Sequence, residues 1–573
     1  MTHSYVNIFA SALFLLLSSA DCFDTANVRR MSAVELTEIS FKKNIKITVN
    51  EKPEDVQFSF AKHFQDHMVL QKAPEKAQIY GFSSGIGQTV AVVVNATGYS
   101  TSYETTIRVG HSPGPGIGVW SVLLDPMAAG TAVNITALSQ GIQITITDVI
   151  YGDVWLCSGQ SNMQFTTIQM LNGAAEIADA HNYPHIRIMT VAEVASATPL
   201  ADLKEIQQNW TTPDNASVGG PAWAYFSAVC WLYGKAIHKE LGYPIGLVAT
   251  DWGGTPVEAW SSPEALAECG VHRKTMIKQP ASFVEYVNKL PPKSRWRIQG
   301  PGDNSALWNA MVYPLLNMTI YGAIWYQGEA DAGGAAMNRY NCTFPTMIKD
   351  WRKNFHHSSG RQTNNTFPFG FVQLAPNSPN QNITVGFPDI RWHQTADYGY
   401  VPNLAMVNVF MAVALDLPDF NSTYGSIHPR DKTDVGERLT LSGLAVAYGR
   451  SEVFQGPFPM RGAVTAKGLT LLYGEKWNLE VRNTSGFELQ CVDNTWVPAA
   501  VVASDNTTVT IELDVCSGID VKGLRYEWRE SPCDFKKCAV YEKVNGLPGP
   551  PFVISSDNIA GKYHLKFGGP VHI

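Results

Sequence analysis

The sequence predicts an α/β fold: a mostly parallel sheet domain over residues 148–455, between a β-sandwich over 43–147 and a second β domain over 456–573. Three patterns predict it. From about residue 148, apolar runs of strand length alternate with amphipathic stretches of helical period, as parallel strands covered on both faces require. Before that point, short β-rich runs are punctuated by Gly, Pro and Ser. After Gly456-Pro457-Phe458-Pro459, alternation with a period of two returns.

Taken in order, the chain opens with a signal peptide over residues 1–22. An apolar core from Ile8 to Leu17 is followed by Ser18-Ser19-Ala20, and it is too short to span a bilayer. Ile45–Val49, Thr89–Val94 and Ile142–Thr147 read as strands, the last alternating strictly. In the α/β region, Val154–Cys157 is a buried strand, and Gln160–Ala180 can be read as one helix. Ser227–Leu241 is an amphipathic helix ended by Gly242. Ile245–Ala249, Thr319–Tyr326, Phe369–Leu374 and Val409–Leu415 are further buried strands, and a helix starts near Asp431. Leu469–Tyr473 and Val509–Asp514 are strands of the last domain.

Composition narrows the function. With 573 residues, 45% hydrophobic and 16% charged, the chain is globular and long enough for several domains. A net charge of -7 argues against a nucleic-acid partner, and no later stretch is apolar enough for a membrane span. The 15 Trp and 22 Tyr suit sugar-stacking surfaces, although aromatic residues more often form core. Sequons at Asn95, Asn134, Asn209, Asn215, Asn317, Asn341, Asn364, Asn382, Asn421, Asn483 and Asn506 favour passage through a glycosylating compartment. Nine cysteines without tight CxxC pairs suggest a few disulfides and no zinc site. Cys533 and Cys538 can pair locally, or either can bridge to Cys491 or Cys516. Cys157, inside a buried strand, reads as a packed free thiol.

Four strand ends carry residue types suited to acyl transfer. Ser158-Gly159-Gln160-Ser161 ends a buried strand and opens a helix, a turn that exposes the Ser161 hydroxyl beside backbone N–H groups. Gly253-Gly254 after Trp252 lets a backbone N–H approach an oxyanion, or simply makes a tight turn. Gln327-Gly328-Glu329 offers an amide donor in Gln327 and, in Glu329, a carboxylate to orient or stabilise an imidazolium. His428, held on its loop by Pro429, follows the serine in the order a general base can.

Together, Gly159-Gln160-Ser161-Asn162-Met163, Trp252-Gly253-Gly254-Thr255, Trp325-Tyr326-Gln327-Gly328-Glu329 and Ile427-His428-Pro429-Arg430 resemble the sialate O-acetylesterase family of SGNH-type hydrolases. His67-Met68-Val69-Leu70-Gln71-Lys72, Leu524-Arg525-Tyr526-Glu527-Trp528 and Gly546-Leu547-Pro548 extend the likeness over nearly the whole chain after the leader. The resemblance implies an SGNH-like catalytic domain and hydrolysis of O-acetyl esters of sialic acid, notably the 9-O-acetyl ester, in lysosomes or after secretion. It implies Ser161 as nucleophile and His428 as base. The Ser161 N–H, Gly253 or Gly254, and the Gln327 side chain would form the oxyanion hole. No metal or cofactor is implied.

Many relatives place an Asp two or three residues before the histidine, where this chain has Ser426 and Gly425. The orienting acid must then be Glu329, with Asp416 or Asp419 behind it, or a backbone carbonyl serves a Ser–His dyad. Arg430 is a candidate for the substrate carboxylate, and Asn304, Trp308 and Asn309 for sugar hydroxyls, against surface or packing roles. Two alternatives stand: an esterase of other acetylated carbohydrates, and a non-catalytic glycan binder. The sequence leaves oligomeric state open.

Overall fold

The computed structural model describes residues 57–271, 301–516, 521–555 and 564–566. The expected signal peptide, Cys22 and the strand at Ile45–Val49 lie outside the described residues. The described residues fall within one compact unit.

The N-terminal strands are β1 (Phe58–Phe60), β2 (Val69–Gln71), β3 (Gln78–Ser83), β4 (Thr89–Ala96), β5 (Tyr99–Thr106), β6 (Gly118–Leu123), β7 (Ala132–Ser139) and β8 (Ile142–Gly159). β1, β3 and β6 make a small antiparallel sheet, while β4, β5 and β7 join the main sheet through β8. The boundary expected at 147/148 falls inside β8, which runs unbroken for 18 residues. Its first residues alternate in burial, whereas Val149 to Gly159 are buried without exception. The change of pattern is therefore a change in what covers the strand, not a break in it. The pairing with β7 shifts register at the same place, between Val133 and Ile135.

The strands β9 (Ile186–Val191), β10 (Ile206–Thr211), β11 (Ile245–Asp251), β12 (Gly322–Tyr326), β13 (Phe369–Gln373) and β14 (Val409–Val413) complete the sheet in the order β10-β9-β11-β8-β12-β13-β14. All these pairings are parallel except β10 on β9. Gly159 lies opposite Asp251 of β11 on one side and Tyr326 of β12 on the other. The strand order reverses across β8, so its C-terminal end is a topological switch point, where open α/β sheets leave a crevice.

The described helices include α1 (Ser161–Gln164), α2 (Gly173–Asp179), α3 (Ala228–Leu241), α4 (Tyr340–Ser358) and α5 (Lys432–Tyr448). α3 is capped as its sequence implies: Ser227 Oγ accepts from the Cys230 N–H at 3.2 Å, and Gly242 takes φ +73°. The single helix expected over Gln160–Ala180 is not formed. α1 stops at Gln164 because the Phe165 carbonyl accepts from the Ala228 N–H at 2.8 Å and Thr166 pairs with Ser227. A tertiary contact thus overrides the helical pattern until α2 begins after Asn172, at φ +60°.

The C-terminal strands build sheets of five, three and four strands. Their core of Leu471, Phe487, Leu489, Leu524, Tyr526 and Phe552 also takes in Tyr400 from the α/β region, while Cys533, Cys538 and Tyr541 belong to the main core. The expected C-terminal domain is thus stitched to its neighbour rather than set apart. Among the described residues, no helix is long and apolar enough to cross a membrane.

Disulfides join Cys157–Cys230, Cys269–Cys342, Cys491–Cys516 and Cys533–Cys538. Cys533 and Cys538 pair locally, one of the open options, but the free-thiol reading of Cys157 is corrected. Cys157 on β8 meets Cys230 in the first turn of α3, 73 residues away in sequence, with Cα atoms 5.8 Å apart. Loop closure of that length is worth about 4 kcal/mol in the chain-entropy account. The double substitution Cys157→Ala/Cys230→Ala should lower stability in urea by up to that amount; an unchanged midpoint would show that packing alone holds α3 on β8.

Candidate active site

The site grows from the turn after β8. Gly159 takes φ +144°, and a Cβ there would lie 2.2 Å from the Tyr326 carbonyl oxygen, so only glycine fits. The Gln160 N–H donates to that same carbonyl at 3.0 Å, which aims the chain out of the sheet and places Ser161 at the start of α1. Its backbone N–H is then one of the amides a helix start leaves without an intrahelical acceptor.

His428 reaches Ser161 across 267 residues of chain, with Nε2 2.8 Å from Oγ. His428 Nδ1 lies 2.8 Å from the Tyr424 carbonyl oxygen, which can only accept, so Nδ1 carries the proton and Nε2 is left as the acceptor for the Ser161 hydroxyl. The loop that holds His428 is internally tied. The His428 N–H donates to Gly425 O at 2.9 Å, and Ser422 Oγ donates to His428 O at 2.7 Å. Burial drives the imidazole pKa down to about 3, with a smaller contribution from the charge of Lys432. His428 is 0% and Ser161 1% exposed. The Trp223 ring packs edge-on against the imidazole at 4.9 Å, its backbone at φ +64°.

The orienting group is therefore a backbone carbonyl, the alternative to an acid. Glu329 accepts from Asn162 Nδ2 at 2.6 Å instead. Asp416 forms a buried pair with Arg438, Oδ1 to Nη1 at 2.6 Å, and accepts from the Tyr541 hydroxyl at 3.0 Å. Asp419 holds Arg430 at both ends of its carboxylate, at 2.7 and 3.0 Å, and also takes the Arg430 N–H at 3.1 Å. Arg430, named as a candidate for the substrate carboxylate, thus closes the histidine loop with its guanidinium matched by Asp419.

The expected oxyanion donors are distributed differently. Gln327 is fully buried; its Nε2 donates to the Thr255 carbonyl at 3.1 Å and to Asp331, and its Oε1 accepts from the Tyr340 hydroxyl at 2.9 Å. With both ends of its amide engaged, Gln327 braces the turn that carries Gly253 and Gly254. Asp331 completes the brace by accepting from the Val257 N–H at 3.1 Å. Burial and then Glu258 hold the Asp331 carboxyl well above the usual range. The Gly253 N–H donates to Gln164 Oε1 at 2.9 Å, and Gln164 Nε2 donates to Glu193. Gly254 turns the chain at φ +73°. Asn309 is buried and its Nδ2 donates to Ser196 O at 3.0 Å, so it clips a neighbouring segment; Trp308 packs near Trp351. Asn304 is half-buried.

Sequence reasoning passed over Asn162, Lys432 and Asp331. Asn162 adjoins Ser161, and Lys432 lies four residues after His428. Both stood in view, but nothing in the sequence says that they meet. Lys432 Nζ donates to Asn162 Oδ1 at 2.6 Å. Burial lowers the Lys432 ammonium to about 7 and raises the Glu329 carboxyl to about 7, each opposed by the other's charge. Among the described residues, no group of three or more His, Cys, Asp or Glu could hold a metal ion.

If Gln327 is a brace, Gln327→Ala takes one partner from each of the buried Asp331 carboxyl and Tyr340 hydroxyl, and urea unfolding should show a loss of about 1–3 kcal/mol. An unchanged midpoint would remove it from that role.

The model of the sialate O-acetylesterase C-terminal domain family matches residues 461–556. The sialate O-acetylesterase of Homo sapiens is 41% identical over 508 residues, covering 87% of this chain and 92% of its own length. That of Rattus norvegicus is 42% identical over 520 residues, covering 87% and 94%. Among solved structures, a carbohydrate acetylesterase from Xanthomonas citri aligns with a TM-score of 0.69 at 26% identity, over 87% of this chain and 99% of that one. A dyad at the switch point of such a sheet, joined to likeness of this extent, places the chain in the sialate O-acetylesterase family.

Proposed function

We propose that this protein is a serine esterase that removes O-acetyl groups from sialic acids, free or on glycoconjugates. The observation that carries the reading is the 2.8 Å hydrogen bond from Ser161 Oγ to a neutral imidazole whose other nitrogen is fixed by a carbonyl. Likeness to sialate O-acetylesterases over 87% of the chain supplies the substrate class. An ester borne on the glycerol arm, above all at O9, suits a nucleophile that is 1% exposed, because an arm reaches further inward than a ring substituent.

The reaction runs in two steps. Ser161 Oγ attacks the acetyl carbonyl carbon while its proton passes to His428 Nε2. The oxyanion is taken by the Ser161 N–H at the start of α1 and by the Gly253–Gly254 turn, where it competes with Gln164 for the Gly253 N–H. The carbon–oxygen bond to the sugar breaks, and the leaving oxygen takes the proton from Nε2. Water then gives a proton to Nε2 and attacks the acetyl-enzyme, and acetate departs as Ser161 regains its hydrogen. The Tyr424 carbonyl keeps the ring in register through both steps and offers its dipole to the transient imidazolium.

We also place the protein in lysosomes or outside the cell, where glycoconjugates are met. Four disulfides suit an oxidising route, and nine of the eleven sequon asparagines, all but Asn317 and Asn341, are exposed. The apolar run from Ile8 to Leu17 would supply the signal for that route.

Ser161→Ala should reduce release of acetate from 9-O-acetylated sialic acid by about 10³-fold or more with an unchanged melting temperature. Equal activity would remove Ser161 from the mechanism. Acetylated xylan in a parallel assay should release little acetate, and a preference for it would shift the substrate class. The base must be neutral to work, so protonation is what silences the enzyme at low pH. With the imidazole held to about 3, kcat/KM for a non-ionising acetate ester should stay level as pH falls through 6.5, and fall only well below it. An acid limb at 6.5 would mean that burial does not govern His428.

A further inference from the structure

The side chain next to the nucleophile makes more of the site than its neighbours do. Asn162 is fully buried, and both its polar atoms are engaged. Its Nδ2 donates to Glu329 Oε1 at 2.6 Å and to the Ile427 carbonyl at 2.8 Å, and its Oδ1 accepts from Lys432 Nζ at 2.6 Å. An amide can be turned end for end, but here the Ile427 carbonyl can only accept, which keeps Nδ2 on its side, and Lys432 Nζ donates to Oδ1 on the other. Turning it over would set NH₂ against the ammonium and oxygen against the carbonyl. Ile427 directly precedes His428, so the bond to its carbonyl ties the residue after the nucleophile to the residue before the base.

Resting on the esterase reading above, we propose that Lys432 is a positioning residue: it locks the orientation of Asn162, which then holds the His428 loop at hydrogen-bonding distance from Ser161. The surroundings fit. The ammonium lies 4.7 Å from the Phe165 ring centre and 5.1 Å from that of Tyr326, so rings enclose the lysine and its head group is left to Asn162. Buried charge of this kind is weak evidence for stability. Lys432 touches neither reacting atom; it acts through Asn162.

The test is a double-mutant cycle on acetate-ester hydrolysis with Lys432→Met, Asn162→Ala and the pair together. Methionine retains an apolar stem suited to the surrounding rings. Lys432→Met is expected to lower kcat by about 10²-fold, as misplacement of a catalytic pair by an ångström can, with KM nearly unchanged. Asn162→Ala should lose as much, and the double variant no more than Asn162→Ala alone, within about threefold. Melting temperatures measured alongside separate this from unfolding. Should Lys432→Met fail to fold, Lys432→Gln, which keeps a neutral donor, carries the same cycle with a smaller expected loss. Unchanged kcat in the lysine variant, or losses that multiply in the double variant, overturns the proposal. Activity retained by Ser161→Ala overturns the esterase reading instead, so the two failures are distinct.

Discussion

The constraint on which the structure depends is that a neutral imidazole must meet a serine hydroxyl in a place nearly closed to water. The 2.8 Å bond between His428 and Ser161 joins the first and last parts of the α/β region. Burial makes the pairing both strong and one-directional. It keeps the histidine unprotonated, and the Tyr424 carbonyl takes the only ring N–H, so the free nitrogen must face the serine. In water the same two groups would exchange partners freely. Here each has one.

Supporting that bond is a set of backbone and amide contacts rather than a third acidic side chain. The turn at Gly159 presses against the Tyr326 carbonyl, which fixes where α1 begins. The carboxylates nearest in sequence or role are each used elsewhere: Asp419 closes the histidine loop through Arg430, Asp416 binds Arg438, and Glu329 meets Asn162. Amides do the joining. Gln164 and Gln327 bond to the turn that carries Gly253 and Gly254, and Asn162 links the Ser161 turn to the His428 loop. Such side chains donate and accept at once, so a few of them can organise several backbone groups where space excludes water.

The strand pattern shows where local reading works and where it stops. The buried runs at Ile245–Ala249, Phe369–Leu374 and Val409–Leu415 became β11, β13 and β14, because strands covered on both faces must be apolar throughout. The helix from Ser227 carried its own start and stop in Ser227 and Gly242. The stretch after Ser161 failed for a reason no window of sequence contains: the Phe165 carbonyl finds its donor in Ala228. The domain boundary placed inside β8 failed because a strand that passes from a half-covered to a fully covered sheet changes its pattern without ending.

From sequence alone came the order of the strands along the chain, the sharp turn that presents Ser161, the identity of His428 as its partner and the resemblance to an esterase family. Each of these is written in local chemistry: periodicity, glycine and proline, and the residue types that acyl transfer needs. Only the tertiary structure decided that Cys157 bonds to Cys230, that the Tyr424 carbonyl meets His428 Nδ1, that Gln327 is held by Thr255 and Asp331, and that Arg430 pairs with Asp419. Those assignments depend on which donor lies beside which acceptor across the packed sheet. A side chain's type states what it can bind; its neighbours in three dimensions settle what it does bind.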